Sequence, residues 1–191
     1  MKFDIVNFLK TKRTYRKFKQ IPVPGDALQA IMLAGQLYSC GANKQSIKYV
    51  IVNKPEDVYV VNGLVKWAAY LPKEVGTPAK GETPVMYIAV IQDTDIEPVN
   101  DTSAGLAIGN MQSTAWYFGI GSCIMGAIDR PKLKSFLKIP QKMKLHSMIA
   151  FGYPMIESEP VECDGDVKYY INEKGGYSVP KRPIDEIYRF L

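Results

Sequence analysis

Two periodicities take turns along this chain. Phe3, Val6 and Leu9 recur at helical spacing and predict a helix over residues 3–12. Two prolines, Pro22 and Pro24, end that segment. A second stripe, Ala27, Ile31, Ala34 and Tyr38, predicts a helix over residues 25–38. After the small, polar stretch SCGANKQS, the run KYVIV predicts a buried strand over residues 48–52. Val58, Val61, Val65 and Ala68 predict a helix over 57–70, followed by a Gly/Pro/Lys-rich loop over 72–83. PVMYIAVI predicts the second strand, over 84–91. Asp101 or Thr102 is the expected N-cap of a long helix reaching Phe118, with Ala104, Ile108, Met111 and Ala115 on its inner face. A third strand lies within 119–129, a short helix spans 130–137, and a fourth strand spans 145–154. From Glu157 the chain reads as polar until the apolar-periodic tail KRPIDEIYRFL. This irregular alternation, with neither repeats nor a long linker, predicts one α+β domain over residues 1–191, a central sheet flanked by helices. The tail has few sequence-local partners, so it is expected to extend onto a neighbouring subunit.

Composition narrows the class. With 47% hydrophobic and 23% charged residues, the 191-residue chain is of ordinary globular type. No apolar run suits a bilayer span and the N-terminus is polar, so neither a membrane anchor nor a secretion signal is expected. Cys40, Cys123 and Cys163 are too few and too scattered for a disulfide scaffold, and none forms a CxxC pair. A reducing, cytoplasmic setting is the expectation.

Charge is concentrated. Lys10, Lys12, Arg13, Arg16, Lys17 and Lys19 fall in a short stretch without an acid, whereas the net charge is only +5. A nucleic-acid protein spreads its basic residues along a groove or stripe and interleaves aromatics. Here only Tyr15 and Phe18 interrupt the run, so no nucleic-acid partner is expected. In an extended segment Lys12, Thr14 and Arg16 would share one side and Arg13 and Tyr15 the other. Three such groups suit a phosphate clamp, while a solvated helix C-terminus explains the same charges through the helix dipole. Lys181 and Arg182 form a second basic cluster far away in sequence.

Other chemistries have little footing. His146 is the one histidine and sits in a predicted strand, so neither a histidine metal site nor a Ser–His–Asp triad is expected. Cys123 reads as a small buried apolar residue. Neither a GxxxxGK[ST] loop nor a GxGxxG turn occurs, and Gly119-x-Gly121 precedes a strand instead of a helix.

The order of these segments resembles the FMN-dependent nitroreductase family. KRTYRKFKQIPVPGDALQAIMLAG is similar to its N-terminal signature, and SCGANKQSIKYVIV to the loop and strand that follow. DTSAGLAIGNMQSTAWYFGIGSCIMGAID is similar to its dimer helix and the strand behind the flavin. MIAFGYP and PKRPIDEI resemble the closing strand and the C-terminal basic element. The resemblance implies a homodimer with FMN at the subunit interface. It implies that Lys12, Arg13, Thr14 and Arg16 hold the phosphate and ring edge, with Lys181 and Arg182 completing the phosphate site. Ser39, Cys40 and Gly41 would come from the partner subunit, and Asn43 would lie near the ribityl chain or ring. Met125 and Gly126 would lie against the isoalloxazine, a backbone N–H near N5. Where many members carry Gln-Pro-Trp, this chain has Gln45-Ser46-Ile47; Lys12 replaces a common arginine, and Met125 stands where some members carry Glu.

The implied chemistry is two-step hydride transfer from NAD(P)H, through the flavin, to a nitroaromatic, quinone or similar acceptor. A flavin store or sensor without turnover is the alternative, and a small basic nucleic-acid module ranks last for want of interleaved aromatics.

Overall fold

A computed structural model describes residues 3–191. Its centre is β5 (Met143–Pro154), whose two edges are both used. Along one edge runs β3 (Met86–Asp93), antiparallel, and beyond it β2 (Ile47–Val52), also antiparallel. β4 (Gly121–Met125) runs antiparallel along the other edge, and the two-residue β1 (Phe18–Lys19) pairs antiparallel with the last residues of β5. The MYIAVIQD run of β3 is buried at all eight positions, as a strand covered on both faces must be.

Alternate residues of β3 and β5 feed two apolar layers. Ile88, Val90, Ile149 and Phe151 pack with α2 (Gly25–Gln36) and α5 (Asp101–Tyr117). Tyr87, Ala89, Met148 and Ala150 pack with α3 (Pro55–Asn62), α6 (Arg130–Phe136) and two residues of β4, Cys123 and Met125. In α5 the buried residues Ser103, Ala104, Ala107, Ile108, Met111 and Ala115 form one stripe, mostly of small residues that let the helix lie close to the sheet. The sheet flanked by helices is the α+β arrangement that the sequence pattern predicts.

Several boundaries differ from expectation. The helix predicted over 57–70 ends at Gly63, because Val65 forms an antiparallel bridge with Ile128 and Lys66 N–H donates to the Ala127 carbonyl at 2.9 Å. Tertiary pairing overrides a helical stripe there. Asn100, not Asp101 or Thr102, caps α5: its Oδ1 accepts from the Ser103 N–H at 3.1 Å. Inside the expected 72–83 loop lies one helical turn, α4 (Lys73–Gly76). The stretch read as polar holds a second sheet, β6 (Ser158–Glu162), β8 (Tyr177–Lys181) and β7 (Tyr170–Ile171), with β6 and β8 parallel. Alternation there is masked by Pro160, Pro180 and several polar residues.

The first helix, α1 (Ile5–Thr11), buries none of its residues. Of the predicted apolar stripe, Val6 and Leu9 face outward from it at 60% and 47% exposure, and Phe3, which precedes the helix, is 58% exposed. Among the described residues no helix is long and apolar enough to cross a membrane.

Candidate functional site

The basic run of the N-terminal segment becomes a cavity wall because two aromatic residues within it are anchors. Lys12 is the C-cap of α1, so the chain turns extended there. Tyr15 N–H donates to the Ser122 carbonyl of β4 at 3.0 Å, and the Tyr15 ring is buried and stacked on Trp116 with centroids 5.2 Å apart. Gly121 makes that seating possible: a Cβ there would lie 2.7 Å from the Tyr15 ring. Phe18 is fully buried and its N–H donates to the Glu82 carbonyl at 2.8 Å. With Tyr15 and Phe18 inside, the polar residues between α1 and β1 are left on the surface side.

There Lys12, Arg13, Thr14 and Arg16 meet Lys181 of β8 around one cavity of about 240 Å³, which Gln112, Tyr169 and Val179 complete. The two basic clusters, far apart in sequence, therefore converge through Lys181. The alternation expected of the segment fails at Arg13, which lines the cavity with Lys12, Thr14 and Arg16. The segment is not a regular strand before Phe18, and an Arg13 Nη donates back to the Leu9 carbonyl at 2.6 Å.

The electrostatics of this cavity are one-sided. Among the described residues none of Lys12, Arg13, Arg16 and Lys181 has a carboxylate within ion-pair distance. The Lys12 ammonium donates to Ser113 Oγ at 3.0 Å. Burial lowers the Lys12 pKa, and the Arg13 charge beside it lowers it further. Burial likewise lowers that of Arg13, whose Nε is buried without a partner. Cations gathered without a counter-charge, one with an unmet donor, are complementary to an anion. Gln112, on α5, donates to Ser122 Oγ at 2.9 Å and so ties the helix to β4 beside the cavity. Gln112 and Tyr169 escaped sequence reasoning: one is a polar residue beside the buried stripe of a helix, the other lies in a stretch without a readable period.

The remaining expected residues lie elsewhere. Arg182 does not line the cavity; it is exposed and pairs with Glu186 at 3.6 Å, one turn away. The Met125 side chain is buried in the core layer with Cys123, because alternate β4 residues point inward. Only its backbone is left for a ligand. Gly126 follows at an exposed turn, with nothing within 4 Å of the place a Cβ would occupy. Ser39, Cys40, Gly41 and Asn43 sit at the far end of α2, off the cavity. Their loop holds Ala42, Asn43 and Gln45 at φ of 50°, 51° and 51°. Three left-handed non-glycine residues store about 1 kcal/mol of strain each. Burial pushes the Cys123 thiol up to about 11, which makes it inert as a nucleophile at neutral pH.

A larger cavity of about 550 Å³ shares no residue with the basic one. It is lined mainly by apolar residues, including Val23, Leu28, Val58, Val85 and Met86, with Lys80 as its one cation. Size favours this pocket, but convergent unpaired charge favours the smaller one, and charge is the better guide to chemistry.

Comparisons with known proteins bear on the family and the fold. The sequence pattern of the nitroreductase family matches residues 9–153. An Archaeoglobus fulgidus protein, provisionally named NADH dehydrogenase/NAD(P)H nitroreductase, is 23% identical over 171 residues, covering 84% of this chain and 91% of its own. The crystal structure of a provisionally assigned nitroreductase from Desulfovibrio desulfuricans, solved with FMN, superposes with a TM-score of 0.68 at 18% identity. The alignment covers 98% of this chain and 96% of that one. An FMN-dependent nitroreductase from Clostridium difficile gives 0.68 at 22% identity, over 85% and 94% of the two chains. At these identities the superpositions establish the fold.

Proposed function

The chain belongs to the nitroreductase family, and from that premise we propose that it is an FMN-dependent NAD(P)H oxidoreductase. The observation that carries the reading is the meeting of Lys12, Arg13, Arg16 and Lys181, all without counter-charge, around one cavity. The residues present fit a phosphate-bearing cofactor: the cations supply charge-assisted donors, Thr14 a hydroxyl, and the unmet Arg13 Nε a further donor. Lys12 would serve as a point charge and the two arginines as forks. When bound, the flavin supplies two-electron hydride chemistry in two half-reactions, with NAD(P)H as donor and a nitroaromatic, quinone or similar molecule as acceptor.

This chain's own part is to bind and orient. The exposed turn at Gly126 leaves room for a flat group to approach the backbone of Met125 and Gly126. Neither a side-chain acid nor a base is required for hydride transfer, which suits a cavity whose lining holds no histidine or carboxylate. At about 240 Å³ the basic cavity is smaller than the roughly 300–1,000 Å³ usual for ligand sites. A second subunit would supply the rest, with Ser39, Cys40, Gly41 and Asn43 on the partner's strained loop. Residues 1–191 would thus act as one FMN-binding unit within a homodimer.

The test is a visible spectrum of the purified protein after incubation with FMN, followed by an assay of NADH and NADPH consumption with a nitroaromatic and with a quinone. Flavin bands that survive desalting, together with acceptor-dependent consumption, are expected. A colourless protein after desalting overturns the cofactor reading, and bound FMN without turnover assigns the chain to flavin storage or sensing.

A further inference from the structure

Arg16 is held by rings instead of by an acid. Its guanidinium carbon lies 4.3 Å from the centroid of Tyr169 and 5.3 Å from that of Tyr177. Tyr177 is fully buried and meets Tyr169 edge-on, with centroids 6.3 Å apart at 88°. Tyr70 packs on Tyr169 at 5.3 Å. Tyr169 therefore touches Tyr70, Tyr177 and Arg16, and it also lines the basic cavity. Tyr169 and Tyr177 lie beyond the residues that the family pattern matches.

The way a guanidinium is held decides what it has left to give. A carboxylate partner would occupy its in-plane N–H donors and cancel its charge. An aromatic face attracts the cation through the ring quadrupole and leaves its charge uncancelled. Donors not turned towards a ring are left for a ligand. A flexible arginine that must be ordered on binding loses affinity through side-chain entropy, and a stacked one does not.

We infer that Tyr169 is a positioning residue: backed by Tyr70, it fixes the Arg16 guanidinium at the cavity wall with its charge uncancelled and donors left for an anionic ligand. This deepens the cofactor reading and rests on it for the identity of that ligand. The tyrosine hydroxyl is not needed for the role; the ring face is.

The experiment compares FMN dissociation constants, by quenching of flavin fluorescence, for wild type, Tyr169→Phe, Tyr169→Leu, Arg16→Ala and the Arg16→Ala/Tyr169→Leu pair. Tyr169→Phe is expected within about twofold of wild type and Tyr169→Leu about tenfold weaker. In the Arg16→Ala background the leucine change is expected to cost less than about twofold, since its effect passes through Arg16. Equal losses in both backgrounds, or no loss in either, overturn the inference. Tyr169→Met, which keeps bulk without a π face, carries the same comparison if the leucine variant does not fold. If wild type binds no FMN, the cofactor reading falls by itself, and the proteins are compared for inorganic pyrophosphate by thermal shift. The positioning role falls too only if Tyr169→Leu then matches wild type.

Discussion

His146 shows how much of a residue's behaviour is set by what folds around it. It lies on β5, half-buried, with Nε2 3.5 Å from Asp101 Oδ1 and Nδ1 3.0 Å from Ser147 Oγ. Burial lowers its pKa from 6.5, Asp101 opposes that, and the nearby charges of Lys144 and Arg130 lower it further. The folded state therefore binds the proton less readily than the unfolded chain. The stability this contributes is complete above the unfolded value of 6.5 and is lost as pH falls through it towards the folded value. Denaturant midpoints measured from about pH 7 to about pH 5.5 should fall for wild type more steeply than for His146→Gln. Parallel slopes would mean that the histidine is not depressed. Lys12 and Arg13 are shifted by burial in the same direction, and an anion in the cavity is the natural relief for both.

At the scale of elements, α5 matters most to the site, because Gln112 and Ser113 of this helix touch Ser122 and Lys12 respectively. Its first turn depends on the Asn100 side chain, which satisfies the Ser103 N–H. Asn100→Ala is expected to cost about 1 kcal/mol. In a chain of this length that is a melting temperature lower by about 2–4 °C. A melting curve superposable on that of wild type would show the cap to be dispensable. The segment after α3 teaches a different lesson. Val58, Val61 and Val65 keep helical spacing, but only the first two are buried by a helix; Val65 is buried by its bridge to Ile128. A period of apolar residues reports burial, not the backbone that achieves it.

At the scale of the molecule, apolar surface remains uncovered. The α1 stripe is outward, and at the other end Ile184, Ile187, Tyr188 and Phe190 are exposed at 68%, 67%, 55% and 90%. Exposed apolar surface at both ends of one chain fits the homodimer proposed above. The occupant that suits them under that proposal is a second copy, with each tail extending onto its partner as the sequence pattern predicts. Sedimentation of wild type at micromolar concentration should therefore give a dimer, and the Val6→Asp/Leu9→Asp variant a monomer with weaker FMN retention. A wild-type monomer that holds flavin would contradict a site shared between subunits.

Local chemistry alone determined the α+β class, the four long strands and most of the helices around them, since each follows from apolar period within a few residues; charge density marked the basic run but left its use open between an anion site and a solvated helix end. The family resemblance was also carried by the order of local motifs. The tertiary structure decided which charges meet. Lys181 joins the cavity and Arg182 turns away to Glu186, although they are neighbours in sequence, because successive residues at the end of a strand face opposite ways. Tyr169 and Gln112 entered the site by the same route, brought there by a small sheet and a helix face that no period in the sequence announces. Long-range convergence depends on how elements pack, and packing is a property of pairs of segments that neither segment encodes alone.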